Sequence, residues 1–378
     1  MTISLRTSRV ALVMAAALTV GAVPAPMSVG GSTRATMSVP GQAGPTVADA
    51  CGAMQSLAPG VCTHGDDQHP AAAAQAGANA AGEPVPSDAI TCVGSGTDGQ
   101  RVEVLYLYGS QGSALTGSRA SEIRRWAGQV EWTVQRSASR LNGDRRVRWV
   151  TDGDCRVVVR SVRVSDDGLG DFATMIDELQ AGSYSRRDRT YLMFVQSSKY
   201  CGIATAPQDD SRSSNLSTRS SGYARIDTGC WDAGDEGYHS IAAHELMHTL
   251  GAVQQSAPHS TKGAHCTDDY DLMCYDDGSG STMSTVCRDN DSSTSGAGDG
   301  NDRLLDCGGD DYFHPAPRSG SYLAQQWNTA EHPRLYDPSA PDDDSDDEDE
   351  DEEGGGGGGG RPSLTSDPIG FLIDLVNG

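Results

Sequence analysis

The sequence predicts an α+β fold in which helices pack on a mixed, twisted β-sheet, followed by an irregular lobe held together by disulfides. Segments with strand and helix periodicity alternate from about residue 101 to 250, which is typical of a sheet with helices packed on it. From residue 254 to 317, Gly, Asp, Ser and Cys dominate and regular patterns fade. Ten cysteines without a Cys-x-x-Cys pair indicate five disulfides in an oxidising compartment rather than a cysteine metal site.

Each expected element rests on its own pattern. Residues 101–108 (RVEVLYLY) alternate and are rich in β-formers, so we expect a strand. Residues 118–141 carry Ile123, Trp126, Val130 and Val134 at helical spacing, and Asn142-Gly143 ends that helix. The other expected elements are strands over 146–150, 155–164, 190–195 and 221–227, and helices over 171–179 (capped by Asp171) and 321–335.

Both ends of the chain are expected to lie outside the folded domain. Residues 1–22 have a positive start, an apolar run and small residues at 20–22, which predicts a secretory signal peptide. Residues 23–90 are rich in Ala, Gly and Pro, as in a propeptide or linker. We assign 91–337 to the folded domain and 338–378, an acidic block followed by seven glycines, to a disordered tail.

The charge balance limits the partners. A formal net charge of −24 argues against nucleic-acid binding, which needs a basic surface. Outside the signal no run is long and apolar enough to cross a membrane. We therefore expect a secreted, extracellular monomer without stable membrane association after signal removal.

One stretch carries the chemistry. It reads His244-Glu245-Leu246-Met247-His248, with Gly251 three residues later. Residues four apart share one face of a helix, so the two imidazoles can bind one metal ion while Glu245 reaches a water bound there. Gly251 occupies the position where a helix ends with a positive φ.

The same stretch resembles the metzincins, secreted zinc endopeptidases with the pattern HExxHxxGxxH and a downstream Met-turn. Residues 271–275 (DLMCY) are similar to that Met-turn. The resemblance implies a metzincin-like fold, a Zn²⁺ ion held by His244 and His248, Met273 in a structural role, and Tyr275 near the metal as a hydrogen-bond donor to the oxyanion.

The sequence departs from the family pattern at the third ligand. That position holds Gln254, so an insertion must delay the ligand to His259 or His265. We favour His265, which lies eight residues before Met273 and adjoins Cys266, while Met273 adjoins Cys274. A Cys266–Cys274 disulfide would join the ligand loop to the Met-turn. A Cys201–Cys230 bridge is a further guess from neighbour pairing.

These residue types predict a zinc-dependent endopeptidase acting on polypeptides, with Glu245 as general base toward a zinc-bound water. The resemblance implies that an edge strand pairs with the substrate, and 201–206 and 221–227 are the two candidates. Two alternatives stay open: a zinc hydrolase acting on a non-protein amide, and a non-enzymatic extracellular binding protein on a zincin scaffold.

Two further expectations concern other ligands. Cys51 or Cys62 could cap the zinc ion and keep a zymogen inactive, although a local Cys51–Cys62 disulfide is the favoured prediction. Acidic loops are a weaker indication of Ca²⁺, because hard oxygen ligands suit that ion. The residues concerned are Asp268, Asp269, Asp271, Asp276, Asp277, Asp299, Asp302, Asp306, Asp310 and Asp311.

Overall fold

A computed structural model describes residues 51–52, 54–58, 61–67, 90–231, 241–268, 271–284, 286 and 304–340. The predicted signal peptide, nearly all of the predicted tail, and Asp269, Asp299 and Asp302 lie outside these residues. No described helix is both long enough and apolar enough to cross a membrane.

The described residues form ten strands and six α-helices. The strands are β1 (Gln55–Ala58), β2 (Val61–Thr63), β3 (Arg101–Tyr108), β4 (Arg146–Val147), β5 (Val159–Arg163), β6 (Arg189–Val195), β7 (Gly202–Ala204), β8 (Ala206–Pro207), β9 (Gly222–Asp227) and β10 (Leu335–Tyr336). The helices are α1 (Gly117–Arg140), α2 (Asp166–Gly170), α3 (Phe172–Ala181), α4 (Leu216–Arg219), α5 (Ile241–Thr249) and α6 (Tyr322–Gln325).

The main sheet has the strand order β5-β3-β6-β9-β7. The pairs β3–β5, β3–β6 and β6–β9 are parallel, and β7 pairs with β9 antiparallel. The predicted mixed sheet is therefore present, in a mixed α/β architecture. Of the two stretches expected at an edge, 221–227 contains β9, which lies inside the sheet, whereas 201–206 contains the edge strand β7.

Both faces of the sheet are buried along the central strands β3 and β6. Along β3, Val104 and Tyr106 belong to one apolar cluster, while Leu105 and Leu107 belong to another, because successive side chains of a strand point to opposite faces. The first cluster contains side chains of α1 and α5, and the second contains those of α3. Burial on both sides explains why β3 and β6 are nearly continuous apolar runs.

Local capping rules place the helices well. Thr116 and Asp171 cap α1 and α3 by accepting backbone N–H bonds from Arg119 and Thr174. The expected strands over 146–150 and 155–164 shorten to β4 and β5. The closing helix expected over 321–335 is wrong beyond α6, since residues Leu335–Tyr336 instead form the short strand β10, which pairs with β4.

Four disulfides join described cysteines: Cys51–Cys62, Cys92–Cys155, Cys201–Cys230 and Cys266–Cys274. Three of them were expected from sequence, and a disulfide-bonded Cys51 or Cys62 supplies no thiolate cap. Several disulfides are typical of extracellular proteins, while secretion itself stays a prediction.

Candidate metal centre

Helix α5 positions the two histidines as the motif predicts. Its apolar residues pack the helix against β7, β9 and α1, and Gly251 ends it with φ +82°. His244 and His248 are buried, and their Nε2 atoms lie 2.9 Å apart. His244 Nδ1 donates to the Leu272 carbonyl at 2.7 Å, and this bond orients the ring so that Nε2 faces the pocket.

His265 reaches the same pocket from the irregular lobe. It is buried, and the Cys266–Cys274 disulfide joins its neighbour to the segment 271–275. Its Nδ1 lies 3.3 Å from Asp277 Oδ2, which also accepts a hydrogen bond from Thr261 Oγ1 at 2.5 Å. Asp277 therefore sets the orientation of the ring and directs Nε2 inward, as carboxylates behind metal-binding histidines do.

His259, the other candidate for third ligand, lies elsewhere. Its Nδ1 is 3.1 Å from Asp311 Oδ2 and 3.5 Å from Asp268 Oδ2. Gln254 is buried and makes three hydrogen bonds: Oε1 accepts from Asp209 N, and Nε2 donates to the Pro207 and Gly251 carbonyls. The amide thus joins the end of α5 to β8.

Two residues from the predicted linker also enter the pocket, and the sequence reasoning missed both. Asp67 Oδ2 lies 2.8 Å from His244 Nε2, and its Oδ1 lies 3.5 Å from His265 Nε2. The His64 ring lies over that of His248, with centroids 4.1 Å apart. The signal available in sequence was the short run His64-Gly65-Asp66-Asp67, which begins two residues after Cys62 in a segment otherwise poor in metal ligands.

Glu245 is fully buried beside this group. Within the described residues neither carboxylate oxygen has a hydrogen-bond partner, and Oε2 lies 3.7 Å from His64 Nε2. A Cβ at Gly202 would come 1.9 Å from Glu245 Oε1. The close approach of β7 to α5 therefore requires glycine at position 202.

Tyr275 also points into the pocket, where its hydroxyl donates to Asp67 Oδ1. Its ring lies against that of His265, with centroids 4.2 Å apart. Burial, with Asp67 beside the phenol, raises the Tyr275 pKa, so the group stays a hydrogen-bond donor.

Burial has opposite effects on the ionisable groups of the pocket. It lowers the pKa of His248 well below its usual range and that of His265 to about 4, so both rings are neutral. Burial raises the pKa of Glu245. Burial alone would lower the pKa of His64 as well. The neighbouring Asp67 and Glu245 carboxylates favour the charged ring more strongly, and together these effects raise the pKa of His64 to about 10.

The pocket fits a divalent metal ion. His64 Nε2, His265 Nε2 and both Glu245 oxygens are buried without hydrogen-bond partners in the described part of the chain. Two zinc-bound nitrogens at tetrahedral angles lie about 3.3 Å apart, given Zn–N bonds of about 2.0–2.1 Å, which is close to the separation of the His244 and His248 Nε2 atoms. Imidazoles with a carboxylate are a ligand set for zinc and related ions.

The aspartates predicted to bind Ca²⁺ divide into two groups. Asp268, Asp310 and Asp311 come together with His259, with ligand atoms within 4.8 Å of one another. Asp271 and Asp306 instead accept hydrogen bonds from the loop that contains Tyr312, Asp277 faces His265, and Asp276 accepts from Gly278 N. The Ca²⁺ expectation stays a prediction.

Comparisons with known proteins add little to this geometry. No protein-family model and no curated protein matches the sequence. Among solved structures, the chain is similar to catalytically inactive OgpA from Akkermansia muciniphila in complex with an O-glycopeptide (glycodrosocin) substrate. That alignment has 10% identity and a TM-score of 0.25, and it covers 45% of this chain and 53% of the other. The chain thus spans about half of that protein.

Proposed function

We propose that the protein is a zinc-dependent endopeptidase with a metzincin-like catalytic domain. The observation that carries the proposal is one buried pocket in which the rings of His244, His248 and His265 lie with centroids 4.6, 5.0 and 5.4 Å apart. Beside them lies Glu245, whose carboxylate has no hydrogen-bond partner in the described part of the chain. The three imidazoles would hold the ion, which when bound supplies a Lewis acid and an activated water. His265 is assigned as third ligand because it, and not His259, lies in this pocket.

The roles of the neighbouring residues follow from their positions. Glu245 would take a proton from the attacking water and return it to the leaving amine, which requires a carboxylate within reach of the ligand cluster. Tyr275 would donate a hydrogen bond to the developing oxyanion, since its hydroxyl already donates to a carboxylate oxygen in the pocket. Gly202 leaves Glu245 the space that it needs.

The edge strand supports a polypeptide substrate over a non-protein amide. β7 pairs with β9 on one side, and on the other the backbone N–H of Asp67 donates to the Gly202 carbonyl at 3.0 Å. β8 pairs with β2 in the same way. An edge that binds one extended segment through main-chain hydrogen bonds can bind another, which is how β-augmentation recognises peptides.

One observation favours the alternative of a non-enzymatic binding protein. His64 and Asp67 fill the space beside the three imidazoles, and a metal site closed by protein ligands is typical of structural rather than catalytic zinc. In that case Glu245 would have no water to activate.

The test compares wild type with Glu245→Gln, which keeps the shape of the side chain and removes the charge. Metal content is measured by elemental analysis, and hydrolysis is measured with a peptide library and a chelator control. Both measurements are made on the native chain and on a chain carrying His64→Ala and Asp67→Ala. We expect about one zinc per chain in all forms, and hydrolysis that Glu245→Gln and the chelator abolish. Absence of metal overturns the proposal, and stoichiometric zinc without hydrolysis in any form supports the binding protein.

A further inference from the structure

A second group of metal-ligand side chains lies at the base of the loop that carries His265. Residues 259–267 fold back on themselves as a hairpin, because Thr267 N donates to the His259 carbonyl at 2.9 Å. His259 therefore lies at the base of this hairpin, and Asp268 follows directly after it. Two aspartates from the C-terminal part of the described chain complete the group. We name it the hairpin-base site, which consists of His259, Asp268, Asp310 and Asp311.

The spacing of these side chains suits one bound ion. Each of the four offers a ligand atom, and these atoms lie within 4.8 Å of one another. His259 Nδ1 lies 3.1 Å from Asp311 Oδ2 and 3.5 Å from Asp268 Oδ2. Neighbouring ligands at about 2.1 Å from an ion in an octahedral site lie about 3.0 Å apart. The imidazole nitrogen and the carboxylate oxygens are thus placed as ligands of a single cation would be.

The charge of the hairpin-base site favours a divalent ion over a protonated histidine alone. The side chains of Asp268 and Asp311 are only 3% and 2% exposed. Burial raises the pKa of Asp268 and raises that of Asp311 to about 6, because a carboxylate that loses its water is less stable as an anion. A protonated His259 offsets one negative charge at most, whereas a divalent cation offsets two.

An independent observation concerns one oxygen of Asp310. Its Oδ1 is buried and has no hydrogen-bond partner among the described residues, an arrangement that is costly for a polar atom. A Cβ at Gly308 would lie 2.3 Å from this oxygen and 3.8 Å from Asp268 Oδ2. Asp310 Oδ1 thus borders the same space as Asp268, and glycine at position 308 keeps a side chain out of that space. A cation there would supply the missing partner.

The backbone around the site is held in place by hydrogen bonds of its own. Asp306 Oδ1 accepts from Asp310 N at 3.1 Å, and its Oδ2 accepts from Asp311 N at 3.0 Å. Asp311 Oδ1 accepts from His259 N at 2.9 Å, which joins the two segments. The ligand atoms are therefore positioned by other contacts, as a specific ion site requires.

We propose that the hairpin-base site binds a divalent cation of the Mn²⁺ class, separate from the zinc pocket, and so ties both ends of the hairpin to the C-terminal segment. This inference goes beyond the proposed function and does not depend on it. Three carboxylates suit a hard ion, while the imidazole favours an ion that accepts nitrogen over Ca²⁺, which takes oxygen ligands. Mn²⁺ meets both conditions, and Zn²⁺ is better suited to the three imidazoles of the other pocket.

The test measures metal binding rather than hydrolysis. Full-length protein is loaded with one equivalent of Zn²⁺ and titrated with Mn²⁺, and free Mn²⁺ is measured by electron paramagnetic resonance. We expect one Mn²⁺ per chain while the zinc is retained. The double variant Asp268→Asn/Asp310→Asn should weaken Mn²⁺ binding about tenfold or more, because affinity for a hard cation depends on the number of charged ligands.

A second variant covers the case in which the double variant does not fold. Gly308→Ala leaves every ligand in place and puts a methyl group between Asp310 and Asp268, so we expect a similar loss of Mn²⁺ affinity. Gly153→Ala is the matched control and should bind like wild type, because a Cβ at that position meets no atom within 4 Å.

The possible results separate this inference from the proposed function. Retained zinc without bound Mn²⁺, or Mn²⁺ affinity that neither the double variant nor Gly308→Ala lowers, overturns this inference and leaves the proposed function standing. Mn²⁺ binding that both variants weaken, in a chain that retains no zinc, supports this inference and overturns the proposed function.

Discussion

At the scale of single residues, the candidate site depends on which loop residue supplies a third imidazole beside His244 and His248. Gln254 stands where the metzincin pattern would have a histidine, and its amide joins α5 to β8 through three hydrogen bonds. His265, eleven residues further along the chain, lies in the pocket instead, and Asp277 orients that ring from behind. An imidazole on an irregular loop depends on such a partner more than one on a helix does, because no regular backbone fixes its direction.

We therefore expect Asp277→Asn to weaken zinc binding by roughly 10- to 100-fold, the usual effect of removing a carboxylate behind a metal-binding histidine. Affinity is measured by competition with a chromophoric chelator. Asp276→Asn is the control, because Asp276 is the exposed neighbour and its carboxylate accepts only from the nearby Gly278 N–H in the described contacts. Equal affinities for the two variants would remove Asp277 from the site.

At the scale of elements, a buried carboxyl group of α1 bonds to β4 and to the residues that follow it. Glu131 is 3% exposed, and its Oε2 accepts from Val147 N at 2.8 Å and from Trp149 Nε1 at 3.2 Å. Within the described residues Oε1 has no partner. Burial raises the pKa of this carboxyl to about 7, so the folded protein binds its proton more tightly than the unfolded chain does.

The sign of the pH effect follows from that shift. Between the ordinary glutamate pKa of about 4.3 and the folded value, the folded state holds more protons, so stability falls as pH rises and the loss is complete above pH 7. Glu131→Gln has no proton to lose. We expect its free energy of unfolding to fall less than that of wild type from pH 4.5 to 8, by on the order of a few kcal/mol.

Denaturant unfolding at several pH values measures this difference. Glu122→Gln is the matched control, since Glu122 lies on the same helix in a half-exposed pair with Arg119 and surface pairs contribute little. Parallel pH profiles for Glu131→Gln and wild type would show that the carboxyl is already ionised in the folded protein at acidic pH.

At the scale of the whole molecule, the ligand cluster joins three separate parts of the chain. His244 and His248 come from α5, His265 from the irregular lobe, and His64 and Asp67 from the N-terminal segment 61–67. A metal that binds only this folded arrangement stabilises it by mass action, by about 2.7 kcal/mol at a free concentration 100 times the Kd.

We accordingly expect zinc to raise the Tm and a chelator to lower it, both measured by scanning calorimetry. His248→Ala should lose most of the response, whereas His314→Ala should keep it, because His314 lies outside the cluster and accepts a hydrogen bond from Ala316 N. A Tm that does not respond to zinc or chelator in wild type would mean that the pocket binds no zinc in the folded state.

The sequence by itself determined the features that depend on local periodicity and spacing. The strand over 101–108, the helices over 118–141 and 171–179 and the stop at Gly251 were predicted to within a few residues, because they follow from side-chain alternation, capping and φ preference. The sequence also brought out His244, Glu245 and His248, whose spacing is a property of one helix, and left the third ligand between two histidines.

Only the tertiary structure decided which distant residues share the pocket. The presence of His265 rather than His259 in the pocket, the contact of Asp277 with it, the need for Gly202 and the entry of His64 and Asp67 all arise between segments far apart in sequence. No local pattern encodes such contacts, since the free energy that fixes them comes from burial and strand pairing across the whole fold. The N-terminal segment 61–67 is the clearest case: its composition indicated a linker, while the Cys51–Cys62 disulfide and pairing with β8 and Gly202 give it a defined place.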